Sequence, residues 1–371
     1  MDKLVFISFQ NMESLPDLRL TMPLGDLMFR KLLILSLILM ANITLAAEKI
    51  RSYQVSVNPL KMNKIARQFE VVQKLEKGFE VYVLEERVAE FLKLAPNAVL
   101  LQKNIHSETA DKAIPVYRNY TQVENDLKSF AENYKSLASL ETYGTTKQGR
   151  SLYVLKLSTG GENKPRLMIT AATHGDELIT TEVLFNLTGE LLKGYGVDTR
   201  LTKILDGRDI YIIPVVSPDS FEARQRYVQN MDPNRAYPWP DEPNNKTVDV
   251  IQSMMDLTNK MKFTGSLDLH AYGKLVMYPW AYTRKAPPAS DVVSFKDLVV
   301  SMAKDNQYKA GQISTTIYVA EGSSADYFYW KTGTKALAAE IGKEKIPHWD
   351  KIPAITTEAR EMVWTFLEYF N

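Results

Sequence analysis

Cysteine is absent from all 371 residues. That excludes disulfides, thiolate nucleophiles and cysteine-ligated zinc, although it does not fix the compartment. Net charge is almost absent as well, with 45 Lys and Arg facing 44 Asp and Glu. A chain so balanced carries no electrostatic footprint for nucleic acid or anionic membranes, and no nucleic-acid partner is expected. Histidine is scarce, with four in the chain, so the surroundings of each can be weighed. No repeat or low-complexity tract is visible. What remains is an ordinary globular balance, 45% hydrophobic and 24% charged, in a length that suggests about two domains.

One apolar run stands out. Arg30 and Lys31 precede Leu32 to Leu39, which Ser36 alone interrupts, and the small residues Ala46 and Ala47 follow. A basic segment, an apolar core and a small-residue cleavage site are the parts of an export signal. The run is roughly 15 residues, short of the ~20 that span a bilayer. Cleavage near Ala47 is expected, leaving a periplasmic or secreted monomer with no stable membrane insertion. Asp2, Glu13, Asp17 and Asp26 sit oddly ahead of such a signal. Met28 is therefore read as the true start, and 1–47 as extension plus signal.

Two regions follow. In 48–106, strands are expected at 50–57, 79–86 and 97–105, with helices at 60–78, ending at Gly78, and at 87–95. This alternation suggests a small α/β open sandwich. The polar stretch 107–116 reads as a linker. In 117–371, helices are expected at 121–141, 180–195, 246–261, 291–306 and 356–370. Strands are expected at 151–158, 166–173, 209–220, 265–273, 274–280 and 335–342. Buried apolar strands alternating with helices indicate an α/β fold, with a mixed, mostly parallel sheet flanked by helices on both faces.

Two histidines fall at strand ends. His174 follows RLMITAAT in the tetrapeptide HGDE, which ends at Glu177, and His270 closes SLDLH. Two imidazoles and a carboxylate leave a fourth position open, the ligand set of a catalytic zinc. Strand ends are also where open α/β sheets carry their sites. A lone His-x-x-Glu is usually a surface pair, so its flanks must decide. Those flanks are GRSLYVLKLSTGG (149–161), ATHGDE (172–177), VSPDSFEARQR (216–226), MDPNRAYP (231–238), LHAYGKLVMYPW (269–280) and IYVAEGSSADYFYWKTGTKALAAEIG (317–342). In that order they make the region from Tyr117 onward resemble the zinc carboxypeptidases, or funnelins.

The resemblance implies removal of single residues from the C-termini of peptides, with one zinc ion per chain held by His174, Glu177 and His270. Glu340 would be the general base; its neighbours Ala338, Ala339 and Ile341 argue against a solvated face. Arg226, with Arg224 as the alternative, would stabilise the oxyanion. Asn234 and Arg235 would clamp the substrate's terminal carboxylate, a task for which the planar guanidinium is suited. Tyr318 would close over it. Ala325 stands where members preferring basic residues carry an acid, so an apolar or undiscriminating pocket is expected unless Glu321 points inward. Region 48–106 is similar in pattern to the propeptide that covers the funnel in zymogens of this family, with Lys112 and Arg118 as candidate cleavage sites. Fewer residues separate Arg235 from His270 than in digestive members, implying a more open funnel. His106 and His348 match no motif and read as surface residues. Three other readings compete: trimming of peptidoglycan stem peptides, zinc-free binding of peptide C-termini, and deacylation of amino-acid conjugates. The complete segment from Tyr318 to Glu340 argues against the last.

Overall fold

The computed structural model describes residues 49–105 and 116–370. The expected signal, the start at Met28, the linker with Lys112, and His106 lie outside the described residues.

The N-terminal sheet contains β1 (Ile50–Val55), β2 (Glu70–Leu75), β3 (Gly78–Leu84) and β4 (Val99–Gln102), in the order β2-β3-β1-β4 with antiparallel pairings. Helices α1 (Pro59–Ala66) and α2 (Val88–Leu94) bury Met62, Ile65 and Phe91, whose ring meets Tyr53 and Phe69 at 5.1 and 5.2 Å. The helix expected over 60–78 is therefore corrected. It stops at Ala66, and Glu70-Val71-Val72, with its β-branched pair, enters a strand. Gly78 is a hairpin residue and not a cap: its φ is +94°, and a Cβ there would meet Val55 O at 2.1 Å. Strand β2 lies at the sheet's edge, and its register slips between Val71 and Gln73.

The main sheet has eight strands: β5 (Ala138–Thr145), β6 (Ser151–Leu157), β7 (Arg166–Ala171), β8 (Asp209–Ile213), β9 (Gly265–His270), β10 (Leu275–Tyr278), β11 (Lys309–Gln312) and β12 (Lys335–Glu340). Their order is β11-β10-β12-β9-β7-β8-β6-β5. The pairs β10–β11, β12–β9, β9–β7 and β7–β8 are parallel, whereas β10–β12, β6–β8 and β5–β6 are antiparallel. Successive side chains of a strand point to opposite faces. Accordingly Leu167, Ile169, Ile210 and Ile212 join one buried cluster, while Met168, Tyr211 and Ile213 join the other. The first cluster is filled by α3 (Tyr120–Asn133), α4 (Leu178–Gly194), α5 (Thr199–Gly207), α8 (Ala289–Met302) and α11 (Ile352–Tyr369). The second receives α7 (Asp249–Met261), α9 (Ile313–Thr316) and α10 (Ser324–Thr332). The expected sheet, covered on both faces, is thus present.

Local expectations differ in places. The helix expected over 121–141 ends at Asn133, and Ala138–Thr145 becomes the edge strand β5. The strand expected over 209–220 stops at Ile213, and Pro218 opens α6 (Pro218–Glu222), where a proline costs no helix hydrogen bond. Helices α5, α9 and α10 and strand β11 were not expected. Parallel pairing brings the C-terminal ends of β7, β9 and β12 to one edge, with Ala171 opposite Leu269 and Glu340 opposite His270.

Candidate metal centre

At that edge the turn after β7 carries His174 and Glu177, and β9 ends in His270. One ligand atom from each lies within 4.8 Å of the others, and all three side chains are buried. His174 Nδ1 is 2.8 Å from Glu177 Oε1, and His270 Nδ1 is 3.1 Å from Glu177 Oε2. The opposite ring nitrogens are also held: His174 Nε2 lies 2.9 Å from Asp232 Oδ1, and His270 Nε2 lies 3.0 Å from Asp268 Oδ2. Asp268 also accepts from Thr170, Thr173 and Ser324. An imidazole whose Nε2–H goes to a carboxylate has its ring oriented and its Nδ1 lone pair made more basic. Both lone pairs then face the Glu177 carboxylate. Two imidazoles and a carboxylate supported in this way fit a four-coordinate zinc ion with one position open.

Electrostatics agree. Burial pushes the Glu177 carboxyl up, but His174 and His270 outweigh it and hold it well below the usual range. Burial lowers His270, yet Asp268 and Glu177 raise it well above its ordinary value. The surroundings thus favour positive charge between these three groups. Replacing Asp268 by Asn should lower zinc affinity by about 10–100-fold. Competition with a chromophoric chelator would measure this, and unchanged affinity would show that Asp268 does not support His270.

Gly175 permits the turn. A Cβ there would stand 2.2 Å from Phe221 N in α6. Gly322 does the same for the other wall: its φ is +78°, and a Cβ would meet Arg235 O at 2.5 Å.

His174, Glu177, Arg226, Asn234, Arg235, His270, Tyr318, Ala325 and Glu340 all line one cavity. Arg226 donates through Nε and Nη2 to Asp232 Oδ2 at 3.0 and 2.8 Å, with Nη1 3.5 Å from Glu177 Oε1. Arg224 turns away, donating to the Arg118 carbonyl. Asn234 Oδ1 accepts from Ser324 N, and Arg235 Nη2 donates to Tyr318 Oη at 2.7 Å. Burial, with Glu177 adding to it, pushes the Glu340 carboxyl up to about 7 against the pull of His270. Glu321 does not face this cavity; Arg67 donates to it at 2.6 Å.

A family model described as zinc carboxypeptidase matches residues 123–362. The chain belongs to the zinc carboxypeptidase family. The family's metal is a single zinc ion, and His174, Glu177 and His270 offer it the donor set described above. Among relatives, Carboxypeptidase A4 of Mus musculus is 28% identical over 249 residues, covering 57% of this chain and 59% of its own. Carboxypeptidase M of Mus musculus is 27% identical over 274 residues, covering 64% and 62%. The chain thus spans about three fifths of the length of these relatives. The crystal structure of carboxypeptidase A from Helicoverpa armigera superposes with a TM-score of 0.72 at 18% identity, covering 87% of this chain and 98% of that one. That of thrombin activatable fibrinolysis inhibitor gives 0.65 at 17%, with the same coverage. These two likenesses concern the fold.

Four further residues at the centre escaped the sequence reading. Asp232 lies inside MDPNR, and Asp268 stands two residues before His270 on one strand, hence on the same face; that spacing was the available signal. Glu70 and Lys345 had none. Glu70 was hidden by the helix expected over 60–78. It reaches in from β2 to pair with Arg226 at 3.2 Å and Lys345 at 2.5 Å. The N-terminal sheet therefore caps the cavity, with Val71 and Val72 in its lining. Tyr82 Oη meets Tyr272 Oη at 2.7 Å, and Phe79 packs on Tyr318 at 6.3 Å. The capped cavity is about 60 Å³. In this arrangement the N-terminal sheet covers the site, as the pattern of region 48–106 led one to expect.

Proposed function

We propose that the chain hydrolyses the last peptide bond of peptides with a free C-terminus, releasing one amino acid per turnover. The reading is carried by the convergence, in one cavity, of the His174–Glu177–His270 group, the Glu340 carboxyl and the Arg235–Tyr318 pair. The guanidinium of Arg235 and the amide of Asn234 bind the terminal carboxylate, and Tyr318 closes over it. Arg226 faces the developing oxyanion. Glu340 accepts a proton from the attacking water and returns it to the leaving amine. His174, Glu177 and His270 would hold the zinc ion, which would supply Lewis acidity toward water and the scissile carbonyl. Ala325, Ala338, Met277 and Ile313 line the same cavity, which supports preference for an apolar terminal residue.

The N-terminal sheet would keep the enzyme latent until the chain is cut between the two regions. Arg118 is a poor point of attack, tied to Asp126 and Glu182 and stacked on Phe185. Export to a periplasm or beyond is part of the proposal, supported by the apolar run from Leu32.

The test is amino-acid release from a peptide panel, with one amidated twin and one peptidoglycan stem peptide, after linker cleavage and with or without a chelator. Single residues are expected from free C-termini, with apolar ends fastest, none from the amidated twin, and none once zinc is stripped. Release from the amidated peptide would overturn the clamp, and cleavage of the stem peptide alone would make this a cell-wall enzyme.

A further inference from the structure

Glu70 behaves as a bound ligand more than as a wall. Its carboxylate is shared by two cations of the main domain, Arg226 and Lys345. Lys345 is only 9% exposed and pairs through Nζ with Asp176 Oδ2 at 2.6 Å. An ammonium has three donors, so Asp176 and Glu70 together still leave one. Asp176 lies between the ligands His174 and Glu177, which anchors Lys345 to the metal-binding turn itself. Arg226 is anchored likewise by Asp232. Both cations thus have a partner within their own domain besides Glu70.

The position of this pair is informative. The terminal-carboxylate clamp uses different atoms, since Arg235 bonds Tyr318 and Asn234. On the Lys345 side a second cavity of about 420 Å³ opens, lined by Asp176, Tyr272, Lys343 and Lys345, with Tyr82 and Gln102 of the N-terminal sheet. Tyr272 lines both this cavity and the one at the metal centre. With the last residue of a substrate held at Asn234 and Arg235, the chain preceding the scissile bond would leave past Tyr272 toward Lys345.

We infer that Lys345, beside the Arg226 assigned to the oxyanion, forms a carboxylate-binding subsite on the acyl side of the scissile bond, selecting peptides with Asp or Glu in one of the two residues before it. Glu70 fills this subsite in the intact chain. The inference rests on the exopeptidase reading for the direction of the substrate, but its test does not require turnover.

The test uses the zinc-loaded chain, cut in the linker as above and carrying Glu70→Gln and Glu340→Gln, so that the cap is released and peptides bind without being cut. The probes are dye-labelled tetrapeptides ending in Leu, with Glu or Gln at the second or third position from the end, and the readout is fluorescence anisotropy. One of the Glu peptides should bind about tenfold more tightly than its Gln twin, as a charge-assisted pair predicts. The ratio should collapse to near unity in Lys345→Gln and persist in Lys345→Arg. Equal binding of the twins, or a preference that survives Lys345→Gln, overturns the subsite. If Glu70→Gln fails to fold, the cut chain with Glu70 intact and Glu340→Gln replaces it, with the same ratio expected once the N-terminal fragment is separated. Hydrolysis by the Glu340-intact chain is read in parallel. Cutting without discrimination sinks the subsite and leaves the exopeptidase standing; discrimination in binding without cutting does the reverse.

Discussion

Glu340→Gln is expected to lower kcat by roughly 10²–10⁴-fold, the usual contribution of a positioned acid–base group, while leaving zinc content unchanged. The register of β12 on β9 holds Glu340 beside His270, yet Glu340 does not belong to the group that could hold the metal. Its carboxyl is pushed up to about 7, first by burial and then by Glu177, against His270, His174 and Arg226. A divalent cation at the centre adds positive charge and shifts it back toward the ionised, base-competent form. Glutamine keeps the volume and removes only the base, so KM should move little. Amino-acid release and metal analysis on the same samples check this. If zinc content falls along with kcat, Glu340 is serving the metal and not the water.

Cleaving the chain between the two regions should raise kcat/KM by roughly 10–1,000-fold. A closed state that opens only 0.1–10% of the time reduces apparent affinity by that fraction. The closed state is held by several contacts. Of these the buried Glu70 pairs should matter most, because leaving one partner of a buried ion pair uncompensated is costly. Arg67–Glu321 is more exposed, and an ion pair of that kind contributes little. The prediction is therefore graded: Arg67→Glu in the uncut chain should give a small rise and linker cleavage a large one. Equal activity before and after cleavage, with the cut verified by mass, would show that the sheet does not obstruct the substrate.

The main sheet was legible because its strands are apolar runs of the right length and its metal-binding residues sit at their ends within recognisable motifs. His174, Glu177 and His270 could be found this way because parallel strands finish at one edge, and a sequence pattern reports where a strand finishes; Glu340 came only from the resemblance of its motif to the family. What escaped was of two kinds. Edge elements such as β5 were absorbed into neighbouring helices, since Ala138–Thr145 buries little and lacks a strong alternation. The segment 60–78 was misread because KIARQFEVVQKL satisfies a helical spacing as well as a strand's, and only its pairing with β3 decides between them. That error concealed Glu70. Lys345 was invisible for a different reason: its importance comes from Asp176, distant in sequence, and from a residue in another sheet.

Strand β2 has a consequence for the reversibility of release. It is the outer strand of its sheet, and in the intact chain Glu70, Val71 and Val72 are shielded by the body they plug. Once the sheet were detached, that rim would carry unpaired backbone groups beside two β-branched apolar side chains, a template for strand-to-strand association. The liberated fragment would then be drawn into self-association or degradation more readily than back onto the enzyme. Activation would behave as a one-way event, driven forward by the removal of a fragment poorly suited to exist alone.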